Sequence, residues 1–207
     1  DATSVQIAVN HNDVAVARYY QGRTRQPRER AAVSMLAHLV SSPFYTQLRT
    51  EEQLGYVVFA SAMPVIQVPG LLFAVQSPNA RPDAIEARMD AFLLSAAKRF
   101  ADLDPAEFGR QREALLTRLL ERDSSLRERT NRYWQEMDRP GANLDGREQL
   151  AQALRSLTVR DMAEIFTAMF VDGSRRVSVQ AVAGTPQENR AETDRTKFQD
   201  ARTRFKD

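Results

Sequence analysis

The sequence predicts an α+β fold: a largely antiparallel β-sheet with a block of helices packed on one face. Three observations predict it. Extended, β-branched runs come in pairs separated by turn residues in the first third of the chain. Helical apolar periodicity then follows in one block between residues 82 and 169. A lone extended run closes the pattern at 176–183. Strands grouped as hairpins and helices grouped consecutively segregate the helices to one face of the sheet.

Each element has its own signal. Val5, Ile7 and Val9 alternate with polar or small residues, and after the turn-like Asn10–Asp13 a second run follows from Val14 to Tyr20. The pair reads as a hairpin. Pro27 stands at a first helical turn, and Ala32, Met35, Leu36, Leu39 and Val40 recur at helical spacing. Ser41-Ser42-Pro43 is expected to stop that helix. Strands are expected at Gly55–Met63 and Gly70–Ser77, a hairpin whose longer loop is bracketed by Pro64 and Pro69.

Four helices are expected next. Pro82 opens a stripe of Ile85, Met89, Phe92, Leu93, Ala96, Phe100 and Leu103. Capping boxes at Asp104–Glu107 and Ser125–Glu128 start the next two, and Thr158–Asp161 caps the last. Pro140-Gly141 and Asp145-Gly146 mark a loop between the last two, and Arg176–Ala183 is a final strand. The order is therefore β-β-α-β-β-α-α-α-α-β. No internal repeat or mid-chain linker divides it, so residues 1–184 read as a single domain. Residues 185–207 read as a polar C-terminal tail.

Composition narrows function. The 207 residues are 43% hydrophobic and 27% charged, ordinary for a chain that buries its own core. With no cysteine, a disulfide scaffold, a thiol nucleophile and Cys-ligated zinc are all excluded. No apolar run is long enough to span a membrane. Arginine dominates the 29 basic residues, but it is interleaved with Glu and Asp, and no basic cluster alternates with aromatics in the way single-strand binders require. That is the pattern of solvated helix faces, not of a nucleic-acid groove.

Only two histidines occur, His11 and His38, and neither lies in a His-Glu-x-x-His or His-x-x-Glu-His pattern. His38 reads as a packed or half-exposed helical residue and His11 as a turn residue, so no metal ligand is assigned. There is no Gly-x-Ser-x-Gly, and the glycines never cluster into a phosphate cradle. The residues present make no complete active site.

One segment, residues 43–59, mixes polar, charged and aromatic side chains just ahead of a buried strand. Chemistry alone leaves two readings. In the first, a short helix or turn feeds the strand, Arg49 pairs with Glu51 or Glu52, both carboxylates face solvent, and Tyr56 is a strand aromatic. In the second, Arg49 and Tyr56 face a ligand.

The run Phe44-Tyr45-x-Gln47-Leu48-Arg49-Thr50-Glu51-Glu52-Gln53-Leu54-Gly55-Tyr56 resembles the last domain of the pitrilysin and insulysin family, zinc metalloendopeptidases with an inverted His-x-x-Glu-His motif. Gly70-Leu71-x-Phe73-x-Val75-Gln76-Ser77 resembles the family's following strand. Tyr133-Trp134, Asn143-Leu144-Asp145 and Leu157-Thr158-x-x-Asp161 fit its helical block. The resemblance covers residues 14–184 and is most specific over 43–77.

It implies a parent of four related α+β domains in two halves that enclose a chamber for peptides and small proteins. Zinc, its ligands and the general base belong to the first domain. This chain, lacking the motif, resembles the non-catalytic C-terminal domain. Arg49 and Tyr56 match residues that such domains direct at the substrate, where they bind it and stabilise the transition state. Glu52, Gln53 and Gly55 are then supporting scaffold, with Gly55 permitting a bend. The implied partners are the parent's other domains and peptide substrates, with no nucleic acid and no membrane. Self-association of the isolated chain is an expected consequence of its exposed interfaces. The implied location is the bacterial periplasm, with the cytoplasm left open. The alternative is a peptide-binding or assembly module of a paralogue that has lost catalysis.

Overall fold

The computed structural model describes residues 2–137, 144–171 and 175–184. Its strands are β1 (Thr3–Val9), β2 (Val14–Gln21), β3 (Val57–Ala62), β4 (Gly70–Ser77) and β5 (Arg176–Ala183). Its helices are α1 (Pro27–Tyr45), α2 (Pro82–Ala101), α3 (Pro105–Leu120), α4 (Leu126–Met137), α5 (Gly146–Arg155) and α6 (Val159–Phe166). The tail read at 185–207 lies outside the described residues, as do Pro140, Gly141 and Asn143.

The strands form one sheet in the order β1-β5-β2-β4-β3. Three pairings are antiparallel, and β1 with β5 is parallel. The α+β architecture is as expected, but β1 and β2 are not a hairpin. The C-terminal strand β5 inserts between them, with Val5 opposite Val179 and Val179 opposite Ala17. Alternation shows that a run is a half-buried strand; it carries no information about which distant strand will claim the edge.

One face of the sheet carries the core. Val16, Tyr20, Val58, Ala60, Leu71, Phe73 and Val75 are buried against α1 and α2. Phe44 of α1 meets Phe73 and Phe92 edge-on, each at 5.1 Å between ring centroids. Arg18 also points to this face and is buried, bridging β2 to Asp90 and Glu86 of α2. Burial of a guanidinium is tolerable because both carboxylates compensate it.

The helical block differs from expectation in two places. First, α1 does not stop at Ser41-Ser42-Pro43. It runs to Tyr45 and continues as a π-helical turn over Thr46–Glu51. Pro43 removes only one intrahelical donor, and burial of Phe44 and Leu48 on either side holds the chain in register. Second, a fifth post-sheet helix, α5, starts at Gly146 where a loop was expected. It buries Ala151 and Leu154 against α1 and α3.

The caps also differ from the two boxes expected. Thr158 and Asp161 cap each other's backbone reciprocally. Asp104 accepts from the N–H groups of Ala106 and Glu107, but Glu107 turns outward to Arg110 and Gln111. Ser125 Oγ accepts the Glu128 N–H, while the Glu128 carboxylate takes the N–H and the hydroxyl of Ser124.

Candidate functional site

The chain from Thr46 to Tyr56 is shaped by a few strong local demands. Leu48 is fully buried and pins the π-helical turn to the core. The turn closes with Glu52 N–H to the Gln47 carbonyl and Leu54 N–H to the Leu48 carbonyl, both 2.9 Å. Gln53 then adopts φ 50, a left-handed conformation that reverses the chain. Gly55 follows, buried against β4, where a Cβ would run into the Gln76 carbonyl. Its role is therefore close approach of two backbones, not the bend expected of it; the bend belongs to Gln53.

Glu52 is the staple of this loop. It accepts a forked pair from Arg88 of α2 (Nε 2.7 Å, Nη2 2.5 Å) and a third bond from Gln47. These donors, Arg88 foremost, hold its carboxyl below the usual glutamate range. Glu52 is thus not a solvent-facing partner of Arg49, as the simpler reading of this segment had it. Glu51 does stay exposed. Arg49, half-buried directly after Leu48, has no hydrogen-bond or ion-pair partner among the described residues.

Tyr56 is placed from both ends. Its N–H donates to the Gln76 carbonyl at 3.1 Å, and its hydroxyl donates to Asp13 Oδ2 at 2.5 Å. Gln76 donates to the same carboxylate oxygen at 3.3 Å. The phenol stays half exposed, and the Asp13 hydrogen bond favours its protonated form, raising its pKa above the usual tyrosine value. The loop ahead of β3 therefore presents an unpaired guanidinium and a phenol tethered to a carboxylate. Both are hydrogen-bond donors suited to peptide carbonyls.

In the sequence Asp13 reads only as a turn residue and Gln76 only as part of a strand, and nothing local there assigns either to the site. Asp13 lies in the bend after β1 and is brought to Tyr56 only because β2, β4 and β3 are adjacent.

Among the described residues there is no group of three or more His, Cys, Asp or Glu that could hold a metal ion. His38 lies half-buried on α1 with Nε2 3.0 Å from Gln111 Oε1, and His11 accepts the Asp13 N–H through Nδ1. No described helix is long and apolar enough to cross a membrane.

Fold and loop together define a helix-backed sheet domain with a polar loop ahead of β3. Residues 35–134 match the family described as "PQQ synthase PqqF-like, C-terminal lobe domain 4". The chain is 31% identical to human insulin-degrading enzyme over 176 residues, 84% of this chain and 17% of that protein. It is 31% identical to protease 3 of Escherichia coli K12 over 159 residues, 77% of this chain and 16% of that one. The crystal structure of pitrilysin superposes with a TM-score of 0.78 at 28% identity, covering 90% of this chain and 20% of pitrilysin. The chain belongs to the pitrilysin and insulysin family of zinc metallopeptidases, as a domain of the C-terminal, non-catalytic kind. It spans about one sixth of the length of these curated relatives.

Proposed function

We propose that this domain, residues 1–184, forms one wall of a peptide chamber in a longer zinc metalloendopeptidase. In this reading Arg49 and Tyr56 act on peptide or small-protein substrate, while zinc and its ligands are held by another domain. The bacterial periplasm is the proposed location. The observation that carries the reading is Arg49: a half-buried guanidinium without a partner among the described residues, on a loop whose Gln47, Glu52 and Tyr56 side chains are held by hydrogen bonds to one another or to the body of the domain. A cation held in that state is matched by a ligand supplied from outside.

The zinc of the parent would polarise the scissile carbonyl and activate water. The role proposed for this chain is separate from that. Arg49 offers a fixed fork of donors to backbone carbonyls and so registers the peptide. Tyr56 has one proton, and at rest it is given to Asp13. On substrate binding the hydroxyl turns from Asp13 to a carbonyl oxygen that is gaining charge, where a preoriented donor stabilises the transition state.

The test is cleavage of a quenched fluorescent peptide by the full-length parent carrying Arg49→Ala or Tyr56→Phe. Loss of one oxyanion donor lowers kcat by about 10²–10³. Tyr56→Phe should approach that range with only a small fall in melting temperature, from loss of the exposed hydrogen bond to Asp13. Arg49→Ala should act mainly on KM. Rates indifferent to both substitutions would overturn the assignment and leave a structural wall, or a module of an inactive paralogue.

A further inference from the structure

The sheet has a free edge at β3. The strand order ends there, and among the described residues no strand lies beyond it. The Met63 N–H donates to the Gly70 carbonyl at 2.8 Å. Antiparallel pairing alternates residues bonded inward with residues bonded outward. With Ala62 opposite Leu71, the backbone groups of Val58, Ala60 and Ala62 are therefore directed away from β4.

Such an edge is a template for another strand, and sheets commonly blunt it with a charge, a proline or a covering element. Residues 57–62 read Val-Val-Phe-Ala-Ser-Ala, with neither charge nor proline. The edge opens instead on a cleft of about 810 Å³ between β3, α1, α3 and α5. Ser34, His38 and Tyr45 of α1 line it, with Leu115 and Arg118 of α3 opposite. The lining holds no carboxylate. Arg118 has no ion-pair or hydrogen-bond partner among the described residues.

We propose that this cleft binds an extended acidic peptide, which adds to β3 as a further strand and sets a carboxylate against Arg118. Charge selects this occupant. A second copy of the chain would bring a β3 edge with no acidic residue, leaving Arg118 unmatched, whereas an acidic peptide satisfies backbone and guanidinium together. Six residues of strand extend about 20 Å, enough to seat three side chains in the cleft and three on the open face. Position agrees: Tyr45 lies in the cleft one turn before Arg49, and Tyr56 directly precedes β3. A strand on this edge runs alongside the loop without requiring the role given to Arg49 and Tyr56 above.

The test is a titration of the isotope-labelled 207-residue chain with a capped seven-residue peptide that alternates threonine and valine around a central aspartate. Saturable amide shifts are expected in residues 57–62 and around His38. Replacing the aspartate by asparagine should weaken binding about three- to fivefold, the range of an exposed ion pair. Arg118→Ala should cost the same factor and make the two peptides equal. N-methylation of the peptide amides that face β3 should abolish binding. So should Ala62→Pro, which removes an outward N–H and no ladder bond. Absence of shifts at millimolar peptide, equal binding of the N-methylated peptide, or shifts confined to other elements would each overturn the proposal. A dimer joined through β3, seen by sedimentation and abolished by Ala62→Pro, would overturn the choice of occupant.

Discussion

The Tyr56 hydroxyl lies 2.5 Å from Asp13 Oδ2, so a residue at the entrance to β3 is held by the bend between β1 and β2. Removing the acceptor's charge tests this pair directly. In Asp13→Asn the protonated phenol loses its stabilisation, and Tyr56 should titrate closer to the ordinary tyrosine range. The sign is fixed by linkage: a pKa raised in the folded state adds stability below the unfolded value near 10, which is lost as pH rises through the folded value. Spectrophotometric titration of the tyrosines should show one group moving to lower pH. Tyr19, pushed up to about 12 by burial, should not move. An unchanged curve would mean that the hydrogen bond does not persist in solution.

Glu52 should matter most above the pH at which it protonates. Its folded pKa is lowered, mainly by Arg88, so the stabilisation is present above the unfolded value near 4.5 and is lost as pH falls through the folded value. Glu52→Gln should cost about 1 kcal/mol or less near neutrality, since the pair is partly exposed. The gap to wild type should close in acid. Chemical denaturation at pH 7 and pH 3 checks both halves of this statement, and a gap of equal size at both pH values would contradict it.

Gly55→Ala tests the close approach of the loop to β4. The added methyl meets the Gln76 backbone, which cannot rotate away as a side chain could. Overpacking of this kind costs about 1–3 kcal/mol. The same shift moves Tyr56, whose N–H is bonded to that carbonyl. Loss of stability measured by urea titration should therefore be accompanied by an altered Tyr56 titration. A stable variant with the tyrosine unmoved would show that the backbones have room to spare.

These sites illustrate which parts of the molecule are legible in the residues. The stripe from Ile85 to Phe100 was readable because helical periodicity states burial directly, and β3 and β4 were readable as apolar runs on either side of a connection bracketed by Pro64 and Pro69. Arg49, Glu52, Gln53, Gly55 and Tyr56 were readable as a segment. Their partners were not, because Arg88 lies 36 residues from Glu52 and Asp13 lies 43 residues from Tyr56. Nothing short-range announces that β5 will separate β1 from β2. Helix α5 was hidden by its length of 10 residues and its opening glycine, which in sequence looks like part of a turn.

The loop between β3 and β4 supplies the last prediction. Val65 and Val68 exchange both backbone hydrogen bonds, at 2.9 and 3.0 Å, across a two-residue turn. Its central residues, Ile66 and Gln67, have φ of 48 and 65. That is the geometry of a type I′ turn, which suits Asn-Gly. A β-branched side chain at positive φ is strained by its own backbone. Met63, Val65 and Ile66 are also exposed, so no burial offsets the strain within this chain. Replacing Ile66-Gln67 by Asn-Gly should therefore stabilise the domain by about 1–2 kcal/mol. At roughly 2–4 °C per kcal/mol for a chain of this size, the melting temperature should rise by several degrees. Calorimetry of the paired variant is the measurement. If the melting temperature falls instead, the exposed apolar tip is contributing contacts to the folded chain that outweigh its backbone strain.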